Sequence, residues 1–166
     1  MTYLQERDDQ RTGGVGSAEL TQLRRQLRNA IRSGHIAAVD HTGVEIGVPA
    51  ARVWLDAERL TTQWLPWITP RAADDHVWDP PDLGEHVLVL APSGDLAAAW
   101  ILGSVSSAGQ APAERRGGLW LRQQKDGATI SYDRHAHQLR VSIPGDILIE
   151  AEGSMTLRGR IIDLNP

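Results

Sequence analysis

The chain has 166 residues, 41% apolar and 23% charged, with a net charge of −4. Its length admits one medium domain, or a small domain plus an elongated module, and its negative balance argues against binding nucleic acid by phosphate neutralisation. Cysteine is absent, which excludes a disulfide framework, a thiolate metal site and a cysteine nucleophile.

The first segment, MTYLQERDDQRTGGVG, is polar, and residues 1–16 are predicted to be a flexible lead. It lacks the apolar core of a secretory signal, and no apolar run approaches the ~20 residues needed to span a bilayer. The expectation is a chain made and assembled in the cytoplasm.

Residues 17–34 are predicted to be a helix. Ser17 is a suitable N-cap, Glu19 suits the positive end of the helix dipole, and Gly34 stands where a C′ glycine is expected. Leu20, Leu23, Leu27 and Ile31 form one apolar stripe, while Arg24, Arg25, Arg28 and Arg32 cover much of the remaining surface. The stripe fits packing on the chain's own barrel or against copies of itself. Two heptads are few for an independent coiled coil, which favours the first.

From His35 the texture is that of β-structure. Short strands are predicted at 35–40, through Arg52–Leu55, at Trp64–Thr69 around Pro66, at 86–91 and at 97–105. An irregular acidic loop, Ala72–Glu85, contains Pro80-Pro81 and Gly84, and a turn at Pro92-Ser93-Gly94-Asp95 joins the last two strands. Five short strands with one long loop predict a Greek-key barrel of the OB type over 35–105. Val53, Trp64, Trp67, Val87, Val89, Trp100 and Leu102 are its predicted core.

Residues 106–118, SSAGQAPAERRGG, read as a linker. Beyond it, LWLRQQ, ATISYD, LRVSI, ILIEA, SMTLRG and IIDL are short β-type runs separated by Gly or Asp turns. Leu139, Val141, Ile143, Ile147, Ile149, Met155, Leu157 and Ile161 share one parity. A single ribbon of such strands cannot bury that edge. Intertwining of identical chains over 119–166 would place the series inside a β-prism, with Arg140, Glu150 and Arg158 facing water. The fold class expected is therefore mainly β: an N-terminal helix, a five-stranded barrel and a multi-chain short-strand prism.

The segments TTQWLPWITPRA, PPDLGEHVLVLAPSGDLAAAWILGSV and DGATISYDRHAHQLRVSIPGDILIEA resemble the phage baseplate assembly protein V family. These are the central spikes of contractile tails, related to type VI secretion spikes, and the resemblance covers about residues 17–160. It implies a homotrimer whose OB domains sit under a tail hub protein. A triple-stranded β-helix then points outward and is driven through the host envelope when the sheath contracts, touching the membrane only transiently. The location implied is the baseplate of a virion or injection device. Longer members end in a needle whose apex carries a His-x-His iron motif. This sequence stops at IIDLNP, so a short, blunt needle capped by a separate PAAR-like tip protein is expected.

Other chemistry is weaker. His135 and His137 form a His-x-His pair that could bring two rings to one face of a strand, but it falls in a turn with no neighbouring ligand. The carboxylates Asp74, Asp75, Asp79, Asp82 and Glu85 match no calcium loop and read as a charged surface. Ser93, Ser104, Ser106 and Ser107 lack a nucleophile-elbow context, and the glycines form no phosphate loop. No room exists for the lysozyme domain that some spike relatives carry. No cofactor and no catalytic residue is expected. The leading reading is a structural spike, and the alternative is an OB-type binding module for oligosaccharide or single-stranded nucleic acid. A wall hydrolase built on Asp79 and Glu85 comes third.

Overall fold

A computed structural model describes residues 16–111 and 114–164, and the chain divides after Ala111 into two units. All but Gly16 of the lead expected over 1–16 lies outside the described residues.

The first unit opens with helix α1, Ser17–Ala30. Its N-cap is Gly16 rather than Ser17, and the Glu19 carboxylate accepts from the Gly16 N–H at 2.9 Å, satisfying a donor that the helix itself leaves open. The helix stops four residues earlier than the spacing suggested. Ile31 takes an extended conformation and begins strand β1, Ile31–Asp40. Gly34 is accordingly not a helix terminator. It lies in β1 where a Cβ would stand 2.2 Å from the Trp54 carbonyl oxygen.

The barrel continues with β2 (Ala50–Leu55), β3 (Leu60–Thr61), β4 (His86–Leu90) and β5 (Trp100–Ser104), in the order β3-β2-β1-β4-β5. The strand predicted at Trp64–Thr69 is instead an extended segment held by two single bridges. Leu65 pairs with Ala51 of β2, and Trp67 pairs in parallel with Ile101 of β5. Pro66 has no N–H to give a ladder, but its carbonyl accepts from Ile101 N at 3.0 Å. This segment links β2 to the edge strand β5 and so closes the sheet. The strand predicted to start at 97 starts at Trp100. Asp95 accepts from Ala97 N at 2.8 Å and caps a 3-10 turn over Leu96–Ala98.

The barrel interior holds Ile36, Ala51, Val53, Leu55, Leu65, Val87, Val89 and Ile101, all nearly or fully buried. Trp67 is half-buried against it, whereas Trp64, also expected inside, is half-buried outside that cluster with the Arg52 guanidinium 5.9 Å from its ring centre. Trp100 and Leu102, expected inside, lie on the outer face. Side chains alternate along a strand, and Ile101 takes the inward position at 1% exposure, leaving Trp100 43% exposed. The one buried polar side chain in the described interior, Thr62, accepts from Val53 N at 3.0 Å and donates to the Gln63 carbonyl at 2.7 Å.

The start of the expected linker is fastened to the barrel. Gln110 donates to the Gly84 carbonyl at 2.9 Å and accepts from His86 N at 3.3 Å.

The second unit is an antiparallel meander of β6 (Leu119–Gln123), β7 (Thr129–Asp133) and β8 (Gln138–Ser142). Asp126-Gly127 turns between the first two, with Asp126 accepting from Ala128 N at 2.9 Å. After Ser142 none of the described residues belongs to a strand or helix, so the strands predicted over 147–151, 154–159 and 161–164 do not form within one chain. A strand needs a partner for its backbone donors and acceptors, and the single ribbon supplies none there.

Candidate assembly surfaces

The register of the meander decides which side chains share a face. Trp120 pairs with Tyr132 and Tyr132 with Leu139, while Ile130 pairs with Val141. Residues directly opposite in a ladder point the same way, so five apolar residues, Trp120, Ile130, Tyr132, Leu139 and Val141, share one face with Arg122, which pairs with Ile130. All five are exposed, from 38% at Ile130 to 65% at Leu139. The other face is mainly polar, with Gln123, Thr129, Ser131, Asp133, Gln138 and Arg140 beside Leu119 and Leu121. A sheet of three short strands with a bare apolar side is incomplete as a folded object.

The apolar character continues past the sheet. Ile143, Ile147, Ile149, Met155, Leu157 and Ile161, the remaining predicted prism residues, are all exposed in the chain, as are Leu148, Ile162 and Leu164 of the opposite parity. Trp120, Ile130 and Tyr132 were absent from the sequence-based set. Their alternation in LWLRQ and TISYD was visible, but only the pairing registers place them beside Leu139 and Val141.

The histidine pair sits in the turn between β7 and β8. Asp133 accepts from His135 N at 2.8 Å and from Ala136 N at 3.2 Å, and His137 adopts a left-handed φ of 52°. The His135 ring lies over Gly118, where a Cβ would fall 2.6 Å from its Nε2. Among the described residues no group of three or more His, Asp or Glu is arranged to hold a metal. Arg116 reaches Asp133 at 2.8 Å, and this ion pair, with the two turn N–H groups, lowers the Asp133 pKa to about 2. The histidine turn is thus tied down by a carboxylate that serves as its anchor.

The acidic loop is organised by its own contacts. Arg71 pairs with Asp75, and Glu85 accepts from Asp82 N at 2.7 Å and from the Ser104 hydroxyl. Trp78 packs on Trp67, ring centres 5.8 Å apart, and approaches His41 edge-on at 6.3 Å. These carboxylates hold a surface loop against the barrel wall.

Comparison with known proteins agrees with this architecture. Residues 32–105, the barrel, match the model of the type VI secretion system/phage-baseplate injector OB domain. The chain is also 36% identical over 140 residues to the spike protein of Escherichia phage P2, an alignment covering 84% of this chain. The chain is thus similar to a phage-baseplate spike, and over its barrel to the injector OB domain. It spans 63% of the length of that curated relative. The matched region of the family model begins at Arg32, one residue into β1, and ends at Val105, just past β5, so it coincides with the barrel, while the 140-residue alignment with the P2 spike protein extends beyond it. The C-terminal ribbon falls outside the family model. No helix among the described residues is long and apolar enough to cross a membrane.

Proposed function

We propose that this protein is the trimeric spike of a contractile phage tail or related injection device, acting mechanically rather than as an enzyme. The observation that carries this reading is the C-terminal ribbon. Its sheet leaves Trp120, Tyr132 and Leu139 bare on one face, and its last described residues, through Leu164, are unpaired and rich in exposed apolar side chains. Three such ribbons wound together would supply each other's missing strand partners and close the apolar faces around a common axis. A prism built that way resists bending, because no chain can leave without breaking the pairing of the other two.

In this reading the OB barrels sit under a tail hub protein and the ribbon points toward the host envelope, which it pierces when the sheath contracts. A PAAR-like tip protein caps the far end, and contact with the host membrane is transient. The similarity to a phage spike protein and to the injector OB domain supports a baseplate location. The negative charge and the acidic loop support a role without nucleic acid.

Native mass by light scattering tests the proposal, with the full chain beside a truncation ending at Gly109. A trimer for the full chain that is lost in the truncation supports the interlocked ribbon. A monomeric full chain overturns it.

A further inference from the structure

Helix α1 turns two different sides to its surroundings. Gln26, Asn29 and Ala30 lie over the Pro92–Gly94 turn, so close that a Cβ on Gly94 would stand 2.9 Å from the Asn29 Cβ. Ala91 N donates to the Ala30 carbonyl at 2.7 Å, and Arg32 reaches the Gly94 carbonyl at 3.3 Å. The leucine stripe is elsewhere, about 100° round the helix at 3.6 residues per turn. Packing on the chain's own barrel was the simpler expectation for this stripe. The barrel takes the neighbouring polar side instead, and Leu20, Leu23 and Leu27 remain 43%, 50% and 68% exposed.

The stripe does not stop where the helix does. Ile31 pairs with Leu90, and Leu90 with Trp100, so the three point to the same, outer side of the barrel wall. Ile31 lies one turn beyond Leu27. A single apolar band therefore runs from Leu20 down the helix and onto the barrel exterior, ending at the tryptophan that does not enter the core.

Charge around the stripe identifies what covers it. Leu20, Leu23 and Leu27 follow the three-then-four spacing of a helix–helix seam, with Glu19 flanking it on one side and Arg24 on the other. In a parallel pair, flanking positions five residues apart meet across the seam, which sets Glu19 of one copy beside Arg24 of the next. The opposite helix side, with Arg25 and Arg28, would stay in water.

We infer that α1 is an assembly helix: its leucine stripe packs in parallel against the same helix of further copies of this chain, and Ile31, Leu90 and Trp100 extend that contact onto the barrel. The number of copies rests on the trimeric reading above. The surface itself is separate from the C-terminal ribbon, at the other end of the sequence.

The absence of native cysteine gives a clean test. In the full-length chain, Leu23→Cys places a thiol in the seam, and Arg25→Cys places one about 160° round the helix from it. Facing seam positions fall within disulfide reach. Mild oxidation is expected to convert most Leu23→Cys chains to disulfide-linked pairs on a non-reducing gel, and few Arg25→Cys chains. Equal cross-linking of the two, or none at Leu23→Cys, in protein that light scattering shows to be trimeric overturns the helix contact and leaves the ribbon reading standing. A monomeric mass for the unsubstituted full chain overturns both.

Discussion

Gly34 of β1 runs under the Trp54 carbonyl of β2, where even a methyl group would come within 2.2 Å of the oxygen and 2.8 Å of a Val53 methyl. Both obstacles belong to the closely packed barrel wall, so neither can move aside cheaply. Gly34→Ala is expected to destabilise the barrel by about 3 kcal/mol. Urea unfolding followed by tryptophan fluorescence checks this, and an unchanged midpoint would show that the two strands can part there without cost.

Adjacent residues of β5 should respond in opposite ways. Ile101 is buried among Val53, Val87 and Val89, and Ile101→Ala leaves a cavity worth about 2–5 kcal/mol. Trp100 faces outward, and Trp100→Ala is expected to cost the barrel's own stability about 1 kcal/mol or less. The same unfolding measurement distinguishes them, and a reversed order would invalidate the inward–outward assignment.

Two carboxylates, Asp40 and Asp133, have their pKa lowered by the fold. Asp40 is lowered from 3.8 to about 2 by the Glu45 N–H, the Thr42 hydroxyl and the Thr42 and Gly43 N–H groups around it. Asp133 is lowered equally, first by Arg116 and then by the Ala136 and His135 N–H groups. In both cases the unfolded chain binds the proton more readily than the folded one. The stabilisation is therefore full above the unfolded value of 3.8 and drains away as pH falls toward 2. Arg116→Ala should raise the Asp133 titration toward 3.8 and leave Asp40 where it is, as read by carboxyl NMR. An unmoved Asp133 would mean that the turn N–H groups suffice alone.

Opposite faces of the meander offer a contrast on assembly. Trp120→Glu or Leu139→Glu puts charge on the apolar face, and either is expected to abolish a detergent-resistant trimer while the barrel stays folded. Arg140→Glu, on the polar face, is expected to leave it intact. Gel migration without boiling and light scattering report the outcome. Equal effects from both faces would exclude the apolar face as the buried one.

Much of the architecture was legible in residue order because it rests on local chemistry. The leucine spacing, the Asp and Gly turns and the alternating runs of β4, β6, β7 and β8 each report a backbone conformation that neighbouring residues impose. Gly34 suits a helix terminus and a crowded strand crossing equally well, and only the position of Trp54 separates them. Trp64–Thr69 has the apolar content of a full strand, yet Pro66 and its two distant partners reduce it to the stitch that closes the barrel.

The sequence by itself determined the N-terminal helix, the mainly β class, the short strands β4, β6, β7 and β8 and the apolar alternation within them, since each follows from side-chain size, polarity and spacing along the chain. Tertiary structure alone decided that Ile101 rather than Trp100 enters the core, that Trp120 and Tyr132 join Leu139 on one face, and that α1 presents its polar side to its own barrel. Those outcomes depend on strand register and on contacts between residues far apart in sequence. A shift of one residue in register inverts every side chain, and period alone does not fix it.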